Sequence, residues 1–380
     1  MRGAGRSRRR RPPRRLYLIG VAGHPNFGDE AITRGWLRWL AKREPDAEVW
    51  LDVPNPGNAT ALHHGLHPGL RCVDTLHRLA WEAPGDDPRG VGAHVTEVLD
   101  RPWVSPRWTA GVEAFRSADV VHLLGGGYVN SGARWSAGLV AAAAWAAPRG
   151  ARTGGTGLGL LPADAALREV WAAAAPSFDV LAVRDHASVA VTGGVAEQSP
   201  DDIFLGGVGQ HTRRDGDRLP RVMVLAQRDT HDRFDDVVAT VRATLDGWQV
   251  DPADVGFAEC NPPVDFGIVE ALRGQYPDAP FYAFPEVLRE GLPAAAHQTW
   301  ITTRYHPHLI AASAGAAGAA ISVSEDYYGV KHEAVVAAGS GWTVAAPGGQ
   351  AVQPGPAGEL VTRAVTHTRA LEALAQRLYR

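Results

Sequence analysis

The residues best suited to chemistry lie in residues 300–315, where an arginine and a histidine stand two positions apart just before a proline. The apolar run predicts a strand over residues 301–305, and Pro307 predicts the first position of a helix, where the missing N–H would be unpaired anyway. A residue before proline avoids the α region, so His306 is predicted to be the last extended residue. Arg304 and His306 would then point to one side of a carboxyl strand end. A cation, an imidazole and a helix start together favour an anionic substrate.

A second polar group follows the first predicted strand, residues 16–22. Here Gly28 allows a close approach of the backbone. Asp29 has two interpretations: it caps the next helix or supplies a first-turn acid, or its carboxylate binds or activates a hydroxyl group. The loop lacks the G-x-G-x-x-G spacing, and the chain has no G-x-x-x-x-G-K-[ST], so neither a dinucleotide fingerprint nor a P-loop is predicted.

Two further predicted strands end in candidate ligand-binding residues. Gly125, Gly126 and Gly127 could let a ligand lie against backbone amides, or could simply form a tight turn. Arg184 either pairs with the adjacent Asp185 or clamps a carboxylate or phosphate, for which the planar guanidinium is suited. Both alternatives remain open for each segment.

Other polar clusters carry weaker signals. Asp201 and Asp202 are interpreted as structural residues that cap or close a turn. His63, His64 and His67 have metal-compatible spacing but lie in a polar loop without acidic partners, which favours solvated histidines. We therefore predict no metal site, and the chain has no G-x-S-x-G nucleophile motif.

The elements that must position these residues alternate between strand-like and helix-like along the chain. This pattern predicts an α/β fold with doubly wound, mainly parallel sheets, and 380 residues favour two domains. Candidate residues would then lie at carboxyl strand ends, where open α/β sheets bind ligands. The predicted divisions are a disordered arginine-rich arm (1–15), an N-terminal Rossmann-like domain (16–206), a linker (207–220), a C-terminal Rossmann-like domain (221–350) and a last segment whose helix packs back (351–380).

Composition and charge restrict the classes of function. A net charge of −3 gives the folded part no nucleic-acid signature. Cys72 and Cys260 are far apart and fit no C-x-x-C pattern, which favours a reducing compartment and a cytoplasmic protein. Eight arginines among the first fifteen residues are typical of a solvated arm, which could also hold loosely to an anionic membrane surface. The oligomeric state is left open.

Four short motifs occur in order: N-F-G-D-E-A at 26–31, L-L-G-G-G at 123–127, V-R-D-x-x-S at 183–188 and T-R-Y-H at 303–306, with Lys331 after them. This ordered set resembles the polysaccharide pyruvyl transferase family. The resemblance implies a GT-B-like fold, with two Rossmann-like domains facing across a cleft. It also implies transfer of pyruvate from phosphoenolpyruvate to two sugar hydroxyls as a ketal, with release of phosphate and no separate cofactor.

The resemblance further implies roles for individual residues. The residues expected to bind the donor are Arg184, Arg304, Lys331, Gly125, Gly126 and Gly127. His306 would donate a proton to the methylene carbon, since histidine changes protonation near neutral pH. A bound anion would favour the imidazolium, so its protonation would be coupled to donor binding. Arg304 and Asp29 are the other two catalytic candidates, and Asn26 and Asp29 would face the acceptor, a sugar or polysaccharide.

Two rival functions remain. A nucleotide-sugar-dependent glycosyltransferase of the same fold is the alternative, because Glu325 and Glu333 have the E-x7-E spacing of many such enzymes. Lys331 between them is awkward for a pair of carboxylates that binds ribose. The third interpretation is a catalytically silent relative that binds a sugar or polymer.

Overall fold

The protein forms two parallel β-sheets flanked by helices, in a computed structural model that describes residues 13–229, 232–262 and 264–380. The strands of the first sheet are β1 (Arg15–Ile19), β2 (Glu48–Asp52), β3 (Leu70–Val73), β4 (Val120–Leu123), β5 (Arg152–Leu158), β6 (Val180–Val183) and β7 (Glu197–Gln198). Those of the second are β8 (Val222–Leu225), β9 (Val255–Ala258), β10 (Phe281–Tyr282), β11 (Thr299–Thr302), β12 (Ala317–Ile321) and β13 (Thr343–Ala345). Parallel neighbours need crossover connections, which the helices supply.

The helices fall into two groups and a final long helix. In the first domain they are α1 (Phe27–Arg43), α2 (Pro56–His63), α3 (Thr75–Trp81), α4 (Pro88–Asp100), α5 (Thr109–Arg116), α6 (Ser136–Ala146), α7 (Ala165–Ala174) and α8 (His186–Val191). In the second they are α9 (Phe234–Gly247), α10 (Phe266–Leu272), α11 (Phe284–Glu290), α12 (Tyr305–Ser313) and α13 (Val330–Ala337), followed by α14 (Leu360–Tyr379). Within the described residues, no helix is both long and apolar enough to span a bilayer.

Both sheets have the strand order of a Rossmann fold. The first runs β3-β2-β1-β4-β5-β6-β7 and the second β10-β9-β8-β11-β12-β13, with parallel pairing between neighbours. The order therefore reverses between β1 and β4 and again between β8 and β11, and such switch points open a crevice at the carboxyl ends of the strands. The predicted pair of doubly wound domains is confirmed.

The first strand explains how the domains are held together. Its residues Leu16 and Leu18 face a core that continues into the second domain and α14, whereas Tyr17 and Ile19 face a core within the first domain. All four side chains are buried, as expected for a continuous apolar strand with helices on both faces. The sheet of the first domain thus shares one of its cores with the second domain.

The last helix, α14, returns from the second domain to the first. Its Tyr379 hydroxyl is hydrogen-bonded to Nδ1 of His122 on β4 (2.8 Å). Leu378 packs on Gly154 of β5, where an added β-carbon would lie 2.4 Å from the leucine side chain. These contacts fix the second domain against the sheet of the first.

The first strand begins earlier than predicted. Arg15, assigned above to the disordered arm, is the first residue of β1, and its guanidinium lies 2.9 Å from the carboxylate of Glu48. Pairing with the neighbouring strand β2 therefore extends order to Arg15. The arm as predicted over residues 1–12 lies outside the described residues.

The strand–helix junction at 302–305 differs from the sequence prediction. β11 ends at Thr302 and α12 begins at Tyr305, so the prediction that His306 is the last extended residue was wrong. Pro307 is the third helical residue, which is tolerated because the first four N–H groups of a helix have no intrahelical partner. Arg304 is the extended N-cap and His306 the second helical residue, so they do not share a strand face.

The histidines near residue 65 are not all solvated. His63 is fully buried and its Nε2 lies 2.7 Å from Oε2 of Glu30 on α1, while His67 is 2% exposed and accepts a hydrogen bond from the N–H of Gly69. The predicted solvation was wrong for these two because their acidic and backbone partners come from distant or folded-back segments. No group of three metal-ligating side chains occurs among the residues that the structure describes.

Candidate functional site

A cavity of about 190 Å³ lies between the two domains, at the carboxyl edges of both sheets. The first domain lines it with the loop after β1, the start of α1, the loop after β4 and the residue after β6. The second domain lines it with the β11–α12 junction and the turn that leads into α13. Both folds thus direct their ligand-binding edges into the same space. We call this space the cationic cavity.

Seven of the nine sequence-predicted site residues line this cavity. They are Asn26, Asp29, Gly127, Arg184, Arg304, His306 and Lys331. Gly125 and Gly126 lie beside it but do not form its surface. Residues separated by up to 305 positions in the chain, from Asn26 to Lys331, are therefore brought together.

Arg184 follows β6 and is held by two contacts. Its Nη1 donates a hydrogen bond to Oδ2 of Asp201 (2.8 Å), and its guanidinium carbon lies 4.1 Å from the ring centre of Tyr305 in the other domain. Burial opposes the charge, but Tyr305 and Asp201 outweigh it and raise the pKa of Arg184. The alternative of a pair with Asp185 was wrong, because Asp185 caps α8 by accepting from the N–H of Ser188.

Arg304 is fixed within its own domain. Its Nε and Nη2 donate to Oδ1 of Asp265 at 2.9 and 2.5 Å. The other oxygen of Asp265 accepts from the backbone N–H groups of Cys260 and Asn261, at 2.9 and 2.8 Å. Asp265 is fully buried, so the guanidinium is aligned before any ligand arrives.

Lys331 differs from the arginines because, among the described residues, no carboxylate lies within ion-pair distance of its ammonium. Its Nζ instead lies 3.4 Å from the ring centre of Tyr327. Burial and the nearby Arg184 lower its pKa well below the ordinary value. Glu325 and Asp326, which precede Lys331 in the chain, are exposed. An anion in the cavity would stabilise the charged form of Lys331.

His306 lies where the two domains meet. Its Nδ1 faces Gly28 of α1 so closely that a β-carbon there would lie 1.8 Å from it. Its Nε2 is buried and lies 3.7 Å from Oδ1 of Asp201. There is therefore a steric reason for a glycine at position 28: only a residue without a side chain leaves room for the imidazole of His306.

Asp201 is the main residue that the sequence prediction missed. It caps a turn as expected, by accepting from the N–H of Ile203. It also binds Arg184 and faces His306, and the pKa of its carboxyl group is lowered because these two partners outweigh its burial. Asp201 thus connects the arginine of the first domain with the histidine of the second.

The neighbouring Asp202 has a structural role. Its carboxylate accepts from Nε1 of Trp36, the N–H of Gly125 and the hydroxyl of Thr156, at 2.7, 2.9 and 2.7 Å. A β-carbon at Gly125 would lie 2.8 Å from this carboxylate. Gly125 therefore allows the turn to pack on Asp202 rather than presenting an amide to the cavity.

Asp29 is the carboxyl group that faces the cations. Asn26 caps α1 by accepting from the N–H of Gly28 (3.3 Å), so Asp29 is not needed as the cap. Burial raises the pKa of Asp29 to about 6, against the opposing effect of His306 and Lys331. A group with this pKa can accept a proton from a bound hydroxyl near neutral pH.

A buried pair of histidines supports the site from behind. Nε2 of His332 lies 3.2 Å from the carbonyl of Thr303 and must donate to it, so its Nδ1 accepts from Nδ1 of His308 (3.1 Å). Burial lowers the pKa of His332 to about 4 and holds that of His308 well below its ordinary value. Because His332 follows Lys331 and Thr303 precedes Arg304, this contact positions the two cations relative to each other.

The comparisons with known proteins agree with this architecture. A family model described as polysaccharide pyruvyl transferase matches residues 26–248, and no curated protein sequence matches the chain. A solved UDP-N-acetylglucosamine 2-epimerase has a TM-score of 0.50 and 11% identity, over 97% of this chain and 90% of that one. A putative UDP-N-acetylglucosamine 2-epimerase from Listeria monocytogenes has a TM-score of 0.49 and 11% identity, over 96% and 91%. A sequence identity this low supports a conclusion about the fold alone. The predicted GT-B-like fold is confirmed.

Proposed function

Because this chain belongs to the polysaccharide pyruvyl transferase family, we propose that it transfers the pyruvyl group of phosphoenolpyruvate to two hydroxyl groups of a glycan or glycan precursor. The product is a ketal, and phosphate is released. The observation that carries the proposal is the convergence of Arg184, Arg304 and Lys331 on one small cavity that also contains His306 and Asp29. A donor with a phosphate and a carboxylate matches this excess of cations.

The three cationic side chains would have different roles in donor binding. Arg184 and Arg304 are each aligned by a buried aspartate, so they can offer their remaining N–H groups to a phosphate or carboxylate in a fixed geometry. Lys331 has no carboxylate partner in the described part of the chain and would neutralise the remaining negative charge. Since its pKa is depressed in the free protein, donor binding should be accompanied by proton uptake.

The reaction requires two proton transfers from the acceptor and one to the donor. A proton adds to the methylene carbon of phosphoenolpyruvate and leaves an oxocarbenium-like centre at the neighbouring carbon. The first hydroxyl attacks this carbon and loses its proton, and the carbon–oxygen bond to phosphate then breaks. The second hydroxyl closes the ketal, and its proton leaves with the phosphate. The methyl group of the product holds the added proton.

The imidazole and the carboxyl group suit these transfers. His306 is our proton donor, because its imidazole lines the cavity and has the carboxylate of Asp201 on its Nε2 side. Asp29 is our acceptor of the hydroxyl proton, because its pKa of about 6 lies just below neutral pH. Asn26 lines the same wall and would hydrogen-bond the acceptor.

The nucleotide-sugar alternative is less well supported by the geometry. Glu325 is exposed and lines no part of the cationic cavity, and Glu333 faces a separate cavity. The cationic cavity, at about 190 Å³, is also smaller than the roughly 300–1,000 Å³ typical of pockets for larger ligands. Both observations favour a small, compact anion as the donor.

The decisive experiment is calorimetric titration of the purified protein with phosphoenolpyruvate, followed by phosphate-release assays against a panel of acceptor glycans. Binding and acceptor-dependent phosphate release are expected in the wild type, with binding weakened at least about tenfold in Lys331→Met. Repeating the titration in buffers of different ionisation enthalpy measures the proton uptake. Binding of a uridine or guanosine diphosphate sugar in place of phosphoenolpyruvate would overturn the proposal in favour of a glycosyltransferase.

A further inference from the structure

A second interdomain cavity adjoins the cationic cavity. It measures about 610 Å³ and lies between the start of α8, the loop after β7, and helices α12, α13 and α14. The two cavities share Arg184 and Tyr305, whose stacked side chains form the wall between them. A ligand longer than one sugar could therefore reach from one cavity into the other along this wall.

The chemistry of the larger cavity is different from that of the smaller one. About half of its lining is apolar, and its polar groups comprise three carboxylates, two arginines, two imidazoles, an amide and a serine hydroxyl, among them Glu333, Arg363, His367 and Gln198. The Nδ1 of His367 is buried and has no hydrogen-bond partner among the described residues. Such a mixture of hydrogen-bonding and apolar groups suits a carbohydrate with its many hydroxyls. A second phosphate would require an excess of cations, whereas the two arginines of this cavity are outnumbered by its three carboxylates.

The two cavities also differ in volume, and this difference indicates which substrate each of them can hold. The cationic cavity has room for a small donor and the reacting edge of one sugar, while the larger cavity falls in the size range of pockets that enclose larger organic ligands. Its walls come from both domains, as expected for a site that an extended acceptor enters.

We infer that the larger cavity, which we call the glycan cleft, binds the sugar residues of the acceptor beyond the one that receives the pyruvyl group. The inference rests on the proposed function for the position of the reacting sugar, but the binding of the remaining sugars can be measured without turnover. It predicts an enzyme that prefers oligosaccharides to single sugars. Asn26 and Asp29 would then contact only the reacting sugar.

Ala187→Trp tests the cleft by filling it. Ala187 is exposed, lies in the second position of α8 and lines the cleft, so a bulky side chain there needs no core rearrangement. The matched control is Ala93→Trp, since Ala93 is an exposed helical alanine that lines another cavity of about 610 Å³, formed by α4, α6 and α7. Melting temperatures of both variants establish that each is folded.

The first measurement is binding to an array of neutral and acidic di- to hexasaccharides, without donor. The wild type and Ala93→Trp are expected to bind the same glycans, and Ala187→Trp to bind them at least about tenfold more weakly. Equal binding by both variants, or no glycan bound by the wild type, would overturn the inference.

The second measurement separates this inference from the proposed function. With phosphoenolpyruvate as donor, Ala187→Trp should raise the KM for an oligosaccharide acceptor about tenfold and leave the KM for a simple methyl glycoside and for the donor unchanged. Glu333→Gln should act in the same direction with a smaller effect. If the enzyme turns over but Ala187→Trp leaves the KM for the oligosaccharide unchanged, the inference about the glycan cleft is refuted and the proposed function is not. If Ala187→Trp weakens binding to the glycan array but the wild type does not use phosphoenolpyruvate, the proposed donor is refuted and the inference about the glycan cleft is not.

Discussion

The two walls of the cationic cavity come from domains with the same strand order, but they are chemically unlike. The wall from the first domain consists of glycine-rich backbone and carboxylates, with Asp29 facing the cavity and Asp201 just behind it. The wall from the second domain consists of long cationic and aromatic side chains, with Arg304, Lys331 and Tyr327 at the surface. Two domains of the same fold thus have different roles in our proposal. The wall from the first domain transfers protons, and the wall from the second binds the donor.

Two residues are exceptions to this separation, because each contacts the wall opposite its own. Arg184 belongs to the first domain but stacks on Tyr305 of the second, and His306 of the second domain rests on Gly28 of the first. Under the proposed function, donor binding by the second wall should survive a loss of these contacts, whereas proton transfer should not.

The largest effect is expected from Asp29→Asn, on the first wall. Removal of the proposed base should lower kcat by about 10²–10⁴ and leave donor affinity unchanged or improved. Because the pKa of Asp29 is about 6, wild-type kcat/KM should fall as the pH drops below this value. A pH–rate profile of both proteins measures this, and an unchanged kcat or a persisting acidic limb in the variant would contradict the assignment.

The same substitution should make the protein more stable. The pKa of Asp29 is raised from 3.8 to about 6 in the fold. Between these values the folded state binds more protons than the unfolded state, so stability from this group declines as the pH rises through the interval. At neutral pH, Asp29→Asn should therefore raise the free energy of unfolding by up to about 3 kcal/mol. Urea unfolding at pH 7 measures the gain, which should vanish near pH 4.

Gly28→Ala breaks the contact between the walls. The new methyl group would displace the imidazole of His306, and a displacement of about 1 Å can cost roughly 10² in rate. Donor affinity should change little, because the cations are held elsewhere. The control is Gly35→Ala in the same helix, where the nearest atom to the new carbon, the carbonyl oxygen of Leu205, lies 3.6 Å away. Steady-state kinetics that show the same loss in both variants would refute the steric argument.

Asp201→Asn and Asp265→Asn compare the two arginine partners directly. Each leaves a buried guanidinium without its nearest carboxylate, so both should lower the free energy of unfolding by a similar amount, about 3–5 kcal/mol. Only Asp201 also faces His306, so its variant should lower kcat about tenfold, or roughly 1.4 kcal/mol. Asp265→Asn should instead raise the KM for the donor. Kinetics at saturating donor separate the two, and identical kinetic defects would remove the distinction.

The sequence was sufficient for features that depend on short segments. Continuous apolar runs such as residues 16–22 predicted buried parallel strands, and the alternation of strands and helices predicted two doubly wound domains. Polar residues directly after strands predicted where the site would form, since carboxyl strand ends of one sheet meet at one edge. Arg184 and Arg304 were found by this signal.

Features that depend on contacts between distant segments were not predictable. Asp265 follows β9 and binds Arg304, and Glu30 is hydrogen-bonded to His63, but no local pattern in the sequence indicates either pairing. For Asp201, the local signal of a turn cap was correct and concealed the second role. The start of α12 was misplaced because a proline within the first turn obeys the same unpaired N–H rule as one at the first position.

The smallest effect is expected at the glycine turn of the first wall, where neighbouring residues have different reasons to be glycine. A β-carbon at Gly127 would lie 3.1 and 3.2 Å from the flexible ends of Lys331 and Arg184, which can shift by a few tenths of an ångström. Gly127→Ala should therefore raise the KM for the donor only about threefold, under roughly 1 kcal/mol, with no loss of stability. Gly125→Ala, which collides with the fixed carboxylate of Asp202, should mainly lower the melting temperature. If donor affinity responds to Gly125 but not to Gly127, the backbone of this wall, rather than the cations opposite, holds the donor.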